Sequence, residues 1–525
     1  MSSRRWGKLS PPPRHSSFSI PNSAFFNVRN LLTDPLCKPE DLGSPIPPTP
    51  YGISVCLPLW SHVIGYEEKD PAVVGQFRSG YPRFFVPPAI AALFEQVEKQ
   101  HARPGERVLV FPRMVHAERC ASYLRRHRVD AARTLEYGPE ALGVTFFPGA
   151  AYDVARHFWR FAGEVVSIRQ AEFATGAGCQ QYTVEQGARA NQAIKERLAD
   201  ITGQRPEDVF LFPSGMAANY AVHRMLTTLL PERRTVQLDF PYVDVLKLQE
   251  KFGTGAHFLP FTEEADYEKL RDIIKAEPLA GIFAEVPSNP QLKTVDLRRV
   301  SEMLFLEEKD VPIVVDDTVA TNVNVDVFLI ADVVTTSLTK AFSGVGDVLA
   351  GSVILNSDSP FHDEFAEFLQ KHADHELWRG DAVVLEENSR DYVDRVKTVS
   401  RNGVALFEYL SEHPAVAKVY HSLVDESGIY DHLQREDGGH GCLLSFVLKD
   451  PSKAPAVYDA MEFCKGPSLG TNYTLVCPYT LLAHYDELDW AEACGVDRSL
   501  IRVSVGLEPA EVIIDRMKQA LAKAE

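Results

Sequence analysis

Between Ala188 and Leu355 short apolar runs alternate with longer stretches of helical period. The runs are DVFLF, RTVQLDF, AHFLPF, GIFAEV, VPIVVDD, ADVVTTS and GSVIL. Parallel strands need long crossovers, and helical crossovers cover both faces of the sheet they connect. The pattern therefore predicts an α/β large domain with a mainly parallel seven-stranded sheet. Its first helix runs from Ala188 through NQAIKERLADI and stops at Gly203, a residue suited to a helix C-cap. From about Asn402 the pattern changes. GCLLSFVL, TLVCPY and LIRVSVGL predict strands of a smaller C-terminal α/β domain, closed by an amphipathic helix over Pro509–Ala524. Upstream, RVLVFP (Arg107–Pro112) and GVTFFP (Gly143–Pro148) read as strands and His116–Arg126 as a helix. The resulting division is 1–50, a disordered Pro/Ser-rich tail; 51–164, an N-terminal α/β extension; 165–400, the large domain; and 401–525, the small domain.

Composition narrows the class. The 525 residues are 45% hydrophobic and 24% charged, with a net charge of −18. That balance belongs to a soluble globular protein and argues against nucleic acid or an anionic membrane as partner. Eight cysteines without CxxC spacing point to reduced thiols in the cytoplasm. No apolar run approaches the roughly 18 residues of a membrane span. The first 30 residues are basic and lack Asp and Glu, but Pro11-Pro12-Pro13 favours a disordered tail over an amphipathic transit peptide. His432, His440 and Cys442 sit around a Gly-rich turn, and His372 and His375 lie among charges, so no metal site is expected. The aromatic GYPRFF (Gly80–Phe85) reads as packing or subunit contact.

In open parallel sheets ligands bind beyond the carboxyl ends of the strands. The residues there are Ser214-Gly215-Met216, Tyr242, Ser288-Asn289-Pro290, Asp316-Asp317-Thr318 and Ser337–Lys340. Lys340 lies between hydroxyls in a Gly-rich stretch, where a desolvated amine becomes a nucleophile; a solvated loop lysine is the plainer alternative. Ser214, Gly215 and Met216 open a helix, whose free N–H groups suit a phosphate as well as an ordinary Ser cap. Asp316 or Asp317 could hold a pyridine nitrogen protonated, by the effect of opposite charge on pKa, the alternatives being a metal-binding pair or a loop carboxylate. Asn289 is either a hydrogen-bonder for a cofactor's phenolic oxygen or a substrate carboxylate, or an Asn-Pro turn. Tyr242 could stack on a planar ring or simply fill the core. Arg502, inside an apolar strand, needs a partner, either a substrate carboxylate or a structural one.

Four stretches, EVPSNPQLKTVDL, VVDDTVAT, SLTKAFSGVGDVLAGSVI and SLIRVSVGLE, occur in an order and spacing that resemble the cystathionine gamma-synthase branch of the pyridoxal-phosphate Cys/Met-metabolism enzymes. The likeness covers roughly residues 165–525. GISVCLPLWSHVIGYEE, SGYPRFF and PSLGTNYTLVCPYTLLAHYDELDWA are similar to the fungal type. The resemblance implies a fold-type I pyridoxal-phosphate transferase and a homotetramer built from dimers. Within it Lys340 would hold pyridoxal 5'-phosphate as an internal aldimine and later shuttle protons. Asp316 would pair with the pyridine nitrogen, and Tyr242 would stack on the ring and assist proton transfer. Gly215, Met216, Ser337 and Thr339 would bind the phosphate, with Thr318 near the ring. Asn289, Ser468 and Arg502 would bind the substrate, Arg502 through its α-carboxylate.

Two departures stand out. The family's Tyr-x-Arg phosphate motif, lent by a neighbouring subunit, is not literal in QQYTVEQGARANQ, where Tyr182 and Arg189 are stand-ins. Pro467 replaces the Glu that precedes the SLG triplet in bacterial and animal relatives. The implied reaction is γ-replacement on an O-acylhomoserine, acetyl being the fungal expectation, with cysteine giving cystathionine in methionine biosynthesis. The alternatives are a carbon or amine nucleophile in secondary metabolism, a γ-lyase, and a non-catalytic relative.

Overall fold

The computed structural model describes residues 29–178, 180–372, 376–424 and 428–524. Two short strands, β1 (Pro45–Ile46) and β2 (Ser54–Val55), pair antiparallel near the start. The extension holds β3 (Glu106–Phe111), β4 (Arg133–Tyr137) and β5 (Leu142–Pro148), ordered β3-β5-β4 and antiparallel. The large sheet contains β6 (Val209–Phe212), β7 (Arg234–Leu238), β8 (Ala256–Leu259), β9 (Leu279–Glu285), β10 (Ile313–Asp316), β11 (Val333–Thr336) and β12 (Gly351–Leu355). Its order is β6-β12-β11-β10-β9-β7-β8, with β12 alone antiparallel to its neighbours. All seven apolar runs are strands of this sheet, and the mainly parallel arrangement is as expected.

The small domain carries β13 (Val416–Tyr420), β14 (Leu443–Leu448), β15 (Cys464–Lys465), β16 (Leu475–Pro478) and β17 (Ile501–Ser504), ordered β13-β14-β17-β16-β15. The helices Tyr392–Glu412 and Ala510–Leu521 contribute buried Leu406, Leu410, Ile513 and Met517 to its core.

Three boundaries differ from the sequence reading. The expected tail is ordered from residue 29: Leu31, Leu36 and Ile46 are buried against Cys464, Tyr473 and Leu475 of the small domain. Residues 1–28 lie outside the described residues, as does His375. The 400/401 boundary falls inside the helix Tyr392–Glu412. The helix expected from Ala188 begins at Val184, set by a capping box in which Thr183 and Gln186 satisfy each other's backbone N–H groups. It ends at Gly203, where φ is 75°, a left-handed conformation that favours glycine.

The extension is continuous with the large domain. Val108, Phe111, Phe158 and Trp159 share one apolar core with Phe210, Met216, Tyr220 and Val333. Burial of this many aromatic and aliphatic side chains, at about 1.5–3 kcal/mol each, fixes the extension to the face beside β6 and the helix Gly215–Leu229. No helix among the described residues is long and apolar enough to cross a membrane.

Candidate active site

Because β6, β7, β9, β10 and β11 run parallel, their carboxyl ends meet at one edge of the sheet. Lys340 follows β11 in a turn in which the Gly344 N–H donates to the Lys340 carbonyl at 2.8 Å. Its Nζ lies 2.5 Å from the Tyr81 hydroxyl and 3.0 Å from Ser468 Oγ. Burial pushes the amine's pKa down, while the Tyr81 phenol opposes the shift. Ser468 has φ of +126°, a strained value for a residue with a side chain. The strained backbone carries the hydroxyl that meets Lys340.

The two aspartates after β10 diverge. Asp316 Oδ1 accepts the Thr318 N–H at 3.0 Å, and Oδ2 accepts from Asn219 Nδ2 at 3.2 Å. Asp317 instead accepts the Thr336 hydroxyl at 2.5 Å, under the sheet edge. Burial raises both carboxyls, Asp317 to about 7. Glu285, at the end of β9, is pushed well up by burial and by the charge of Asp316. Its carboxylate accepts the Tyr242 N–H at 2.8 Å, placing Tyr242 at the rim of the same edge.

Gly215 and Met216 form the first turn of Gly215–Leu229, capped by Ser214 Oγ on the Ala217 N–H at 3.1 Å. A Cβ on Gly215 would stand 2.7 Å from Ser337 Cβ and 2.9 Å from its Oγ, so glycine is what lets the helix N-terminus meet Ser337. The hydroxyls of Thr318 and Thr339 bond neighbouring backbone, Thr318 beside Asp316. Thr318 Oγ1 accepts the Ser337 N–H at 2.8 Å, and Thr339 Oγ1 bridges the Ala350 N–H (2.9 Å) and carbonyl (3.2 Å). Both tie strand ends together, which leaves Thr339 a brace in the loop.

On the other wall, Arg502 of β17 donates from Nη1 to Asn289 Oδ1 at 3.0 Å and from Nη2 to the Ser468 carbonyl at 2.7 Å. Its guanidinium stacks over Tyr479, 4.8 Å from the ring centre. Arg502 is 6% exposed, and among the described residues no carboxylate pairs with it. A buried guanidinium held only by neutral acceptors leaves donors for an incoming carboxylate. Asn289, Ser468 and Arg502 thus converge as expected. Arg189, by contrast, is solvent-exposed on the helix that Tyr182 precedes.

Sequence reasoning missed Tyr81 and Arg83, inside the segment taken for packing. The literal triplet Tyr81-Pro82-Arg83 reaches this site from within the same chain. Arg83 donates from Nη2 to the Tyr242 hydroxyl at 2.5 Å and from Nη1 to Asp244 Oδ2 at 2.7 Å. The available signal was an arginine amid aromatics, a charge that needs a partner once buried. Glu285 was missed too, though a carboxylate closing the apolar run GIFAEV is the same kind of signal.

The residues fit pyridoxal phosphate. Lys340 is a desolvated amine. Asp316 is a carboxyl whose pKa burial raises, and a protonated ring nitrogen would give it an opposite charge. Gly215 opens the approach between a helix N-terminus and Ser337. Fold and site together define a fold-type I pyridoxal-phosphate enzyme.

The comparisons with known proteins agree. Residues 167–522 match the family described as Cys/Met metabolism PLP-dependent enzyme, and residues 89–167 match the fungal trans-sulfuration enzyme N-terminal domain. A cystathionine gamma-synthase of Neurospora crassa is 33% identical, over 93% of this chain and 99% of that protein. A cystathionine gamma-synthase-like enzyme of Amanita muscaria is 30% identical, over 92% of this chain and 98% of its own. Among solved structures, cystathionine gamma-synthase from Xanthomonas oryzae pv. oryzae, in complex with aminoacrylate and cysteine, shares the fold. Its TM-score is 0.57 at 24% identity, covering 66% of this chain and 89% of that one. The chain belongs to the pyridoxal-phosphate-dependent Cys/Met metabolism enzymes, in their cystathionine gamma-synthase branch.

Proposed function

We propose that the protein catalyses γ-replacement on an O-acylhomoserine, with acetyl as the acyl group, joining cysteine sulfur to Cγ to give cystathionine and the free carboxylic acid. The observation that carries this reading is buried Arg502, held by Asn289 and Ser468 beside Lys340 and, among the described residues, without a carboxylate of its own. An amino-acid substrate bound there by its α-carboxylate turns its α-carbon toward the lysine amine.

Lys340 would carry the cofactor, with Asp316 against the ring nitrogen, Tyr242 at the ring, and Gly215, Met216 and Ser337 around the phosphate. When bound, pyridoxal phosphate supplies an electron sink for the bond broken at Cα. Lys340, whose pKa burial lowers, takes the Cα proton and then moves a Cβ proton. The carboxylate leaves from Cγ, the cysteine thiolate adds there, and the lysine returns the protons. Arg502 keeps the substrate's carboxylate fixed throughout.

A second reading changes only the nucleophile, to a carbon or amine donor. One observation favours keeping it: Pro467, beside Ser468, has its carbonyl bound by the Ser54 hydroxyl from the start of the chain. The loop that carries Ser468 is therefore partly held by a segment outside the two catalytic domains. We further propose a homotetramer acting in the cytoplasm. Incubating the holoenzyme with O-acetylhomoserine, with and without cysteine, tests the reaction. Cystathionine formed only with cysteine supports it; 2-oxobutyrate and ammonia at equal rate without cysteine contradict it in favour of a lyase.

A further inference from the structure

The loop Ser79–Phe85 is anchored both to the extension's own helix Tyr152–Ala162 and to Asp244 of the large domain. Trp159 Nε1 donates to the Pro82 carbonyl at 2.9 Å, and Arg83 Nη1 donates to the Arg160 carbonyl at 2.8 Å. Arg83 and Arg160 share the fully buried Asp244 carboxylate at 2.7 and 2.8 Å. Burial would raise that carboxyl, but Arg160 and Arg83 hold it at about 2, so the cluster is charged at every working pH. This clamp fixes the backbone at Arg83, two residues from Tyr81. It leaves the Tyr81 hydroxyl 2.5 Å from Lys340 Nζ and 3.2 Å from Ser468 Oγ.

Among the described residues the amine's partners are two hydroxyls, with no carboxylate. A carboxylate would hold the lysine as ammonium and spoil it as a base. A hydroxyl both donates and accepts. It can donate to the lone pair of the neutral amine, then turn and accept from the ammonium once a proton has arrived, with no movement of heavy atoms. The charged groups around this amine are Arg502 from the small domain and Arg83 from the extension, with the Cys477 thiol nearby. Both cations disfavour the ammonium, and Tyr81 offsets them.

We infer that Tyr81 is a catalytic residue, supplied by the extension of the same chain, that receives the amine of Lys340 whenever that amine is free and stabilises it in both protonation states. Arg83 is the positioning residue: through Asp244 it sets the loop, and through its bond to the Tyr242 hydroxyl it sets the ring of Tyr242. The role of the extension is thus to complete the catalytic centre. The inference rests on Lys340 being the cofactor lysine.

The test uses full-length wild type and Tyr81→Phe, which removes one oxygen and keeps the ring. With the cofactor stripped, trace acetylation of Lys340 against free lysine is followed by peptide mass spectrometry across pH. Loss of the phenol is expected to lower the labelling midpoint by about half a unit or more. In the reloaded enzyme, kcat is expected to fall tenfold or more, on the order of a lost acid–base partner, with little change in KM. An unchanged midpoint together with unchanged kcat overturns the inference. Mixed oligomers of Lys340→Ala and Tyr81→Phe chains are expected to show no more activity than their Tyr81→Phe chains supply alone. Recovered activity would place Tyr81 in a neighbouring site and overturn the same-chain assignment. Borohydride trapping separates the two readings. Cofactor fixed to Lys340 in both proteins, with midpoint and kcat both unchanged, defeats Tyr81 alone, whereas no fixation in wild type defeats the Lys340 reading itself.

Discussion

Replacing Arg502 by lysine keeps the positive charge and removes the planar fork. The structure shows what the fork does: one nitrogen holds Asn289 at 3.0 Å, another the Ser468 carbonyl at 2.7 Å, and the face rests on Tyr479. A lysine ammonium can satisfy one of these acceptors or reach a carboxylate, but not with the paired geometry of guanidinium. Hydrogen bonds to charged groups contribute about 1.5–3 kcal/mol each. Losing one such bond to the substrate carboxylate, at about 2–3 kcal/mol, corresponds to a 30- to 150-fold weaker complex. The assay compares inhibition by homoserine with inhibition by 3-aminopropan-1-ol, which lacks the carboxylate. Arg502→Lys is expected to weaken homoserine by that factor and to leave 3-aminopropan-1-ol within about twofold. Equal weakening of both ligands would refute the carboxylate-binding role, and assign Arg502 to the packing of β17 alone.

Three further outcomes are expected. Lys340→Ala abolishes turnover while leaving the melting temperature within a few degrees, as measured by calorimetry, because the side chain is held by only two hydroxyls. Gly215→Ala drives a Cβ to 2.7 Å from Ser337 Cβ, and overpacking of about 1–3 kcal/mol at the helix N-terminus should lower cofactor affinity about tenfold in a fluorescence titration. Asp317, raised by burial from 3.8 to about 7, binds its proton more tightly folded than unfolded. Its contribution to stability is present below about pH 4 and lost as pH rises through about 7, so Asp317→Asn should flatten the fall of wild-type melting temperature across that window.

The sheet and the strand-end residues were legible in the sequence because parallel topology is a local rule with a global result. Ser214, Asn289, Asp316 and Lys340 each follow an apolar run, and parallel pairing brings such positions to one edge whatever the intervening helices contain. Which aspartate faces the site was not legible. Adjacent residues at a strand end point to opposite sides, and the partners that distinguish Asp316 from Asp317 are Asn219 and Thr336, on other elements. Strands β4 and β13 escaped because their exposed faces break the apolar run: RTLEY is nowhere fully buried, and VAKVY buries Val416, Val419 and Tyr420 only. Tyr81 escaped for a different reason. It stands 259 residues from Lys340, and its approach depends on the packing of the extension's core against the helix Gly215–Leu229. Nothing in the local pattern of GYPRFF distinguishes an aromatic that fills a core from one that meets a lysine.

The measurement that tests the central claim most directly is reduction of the yellow holoenzyme with borohydride followed by peptide mapping. The account requires the reduced cofactor to be attached to Lys340, in the peptide following β11. Attachment to another lysine, or a purified protein that binds no pyridoxal phosphate, would contradict it.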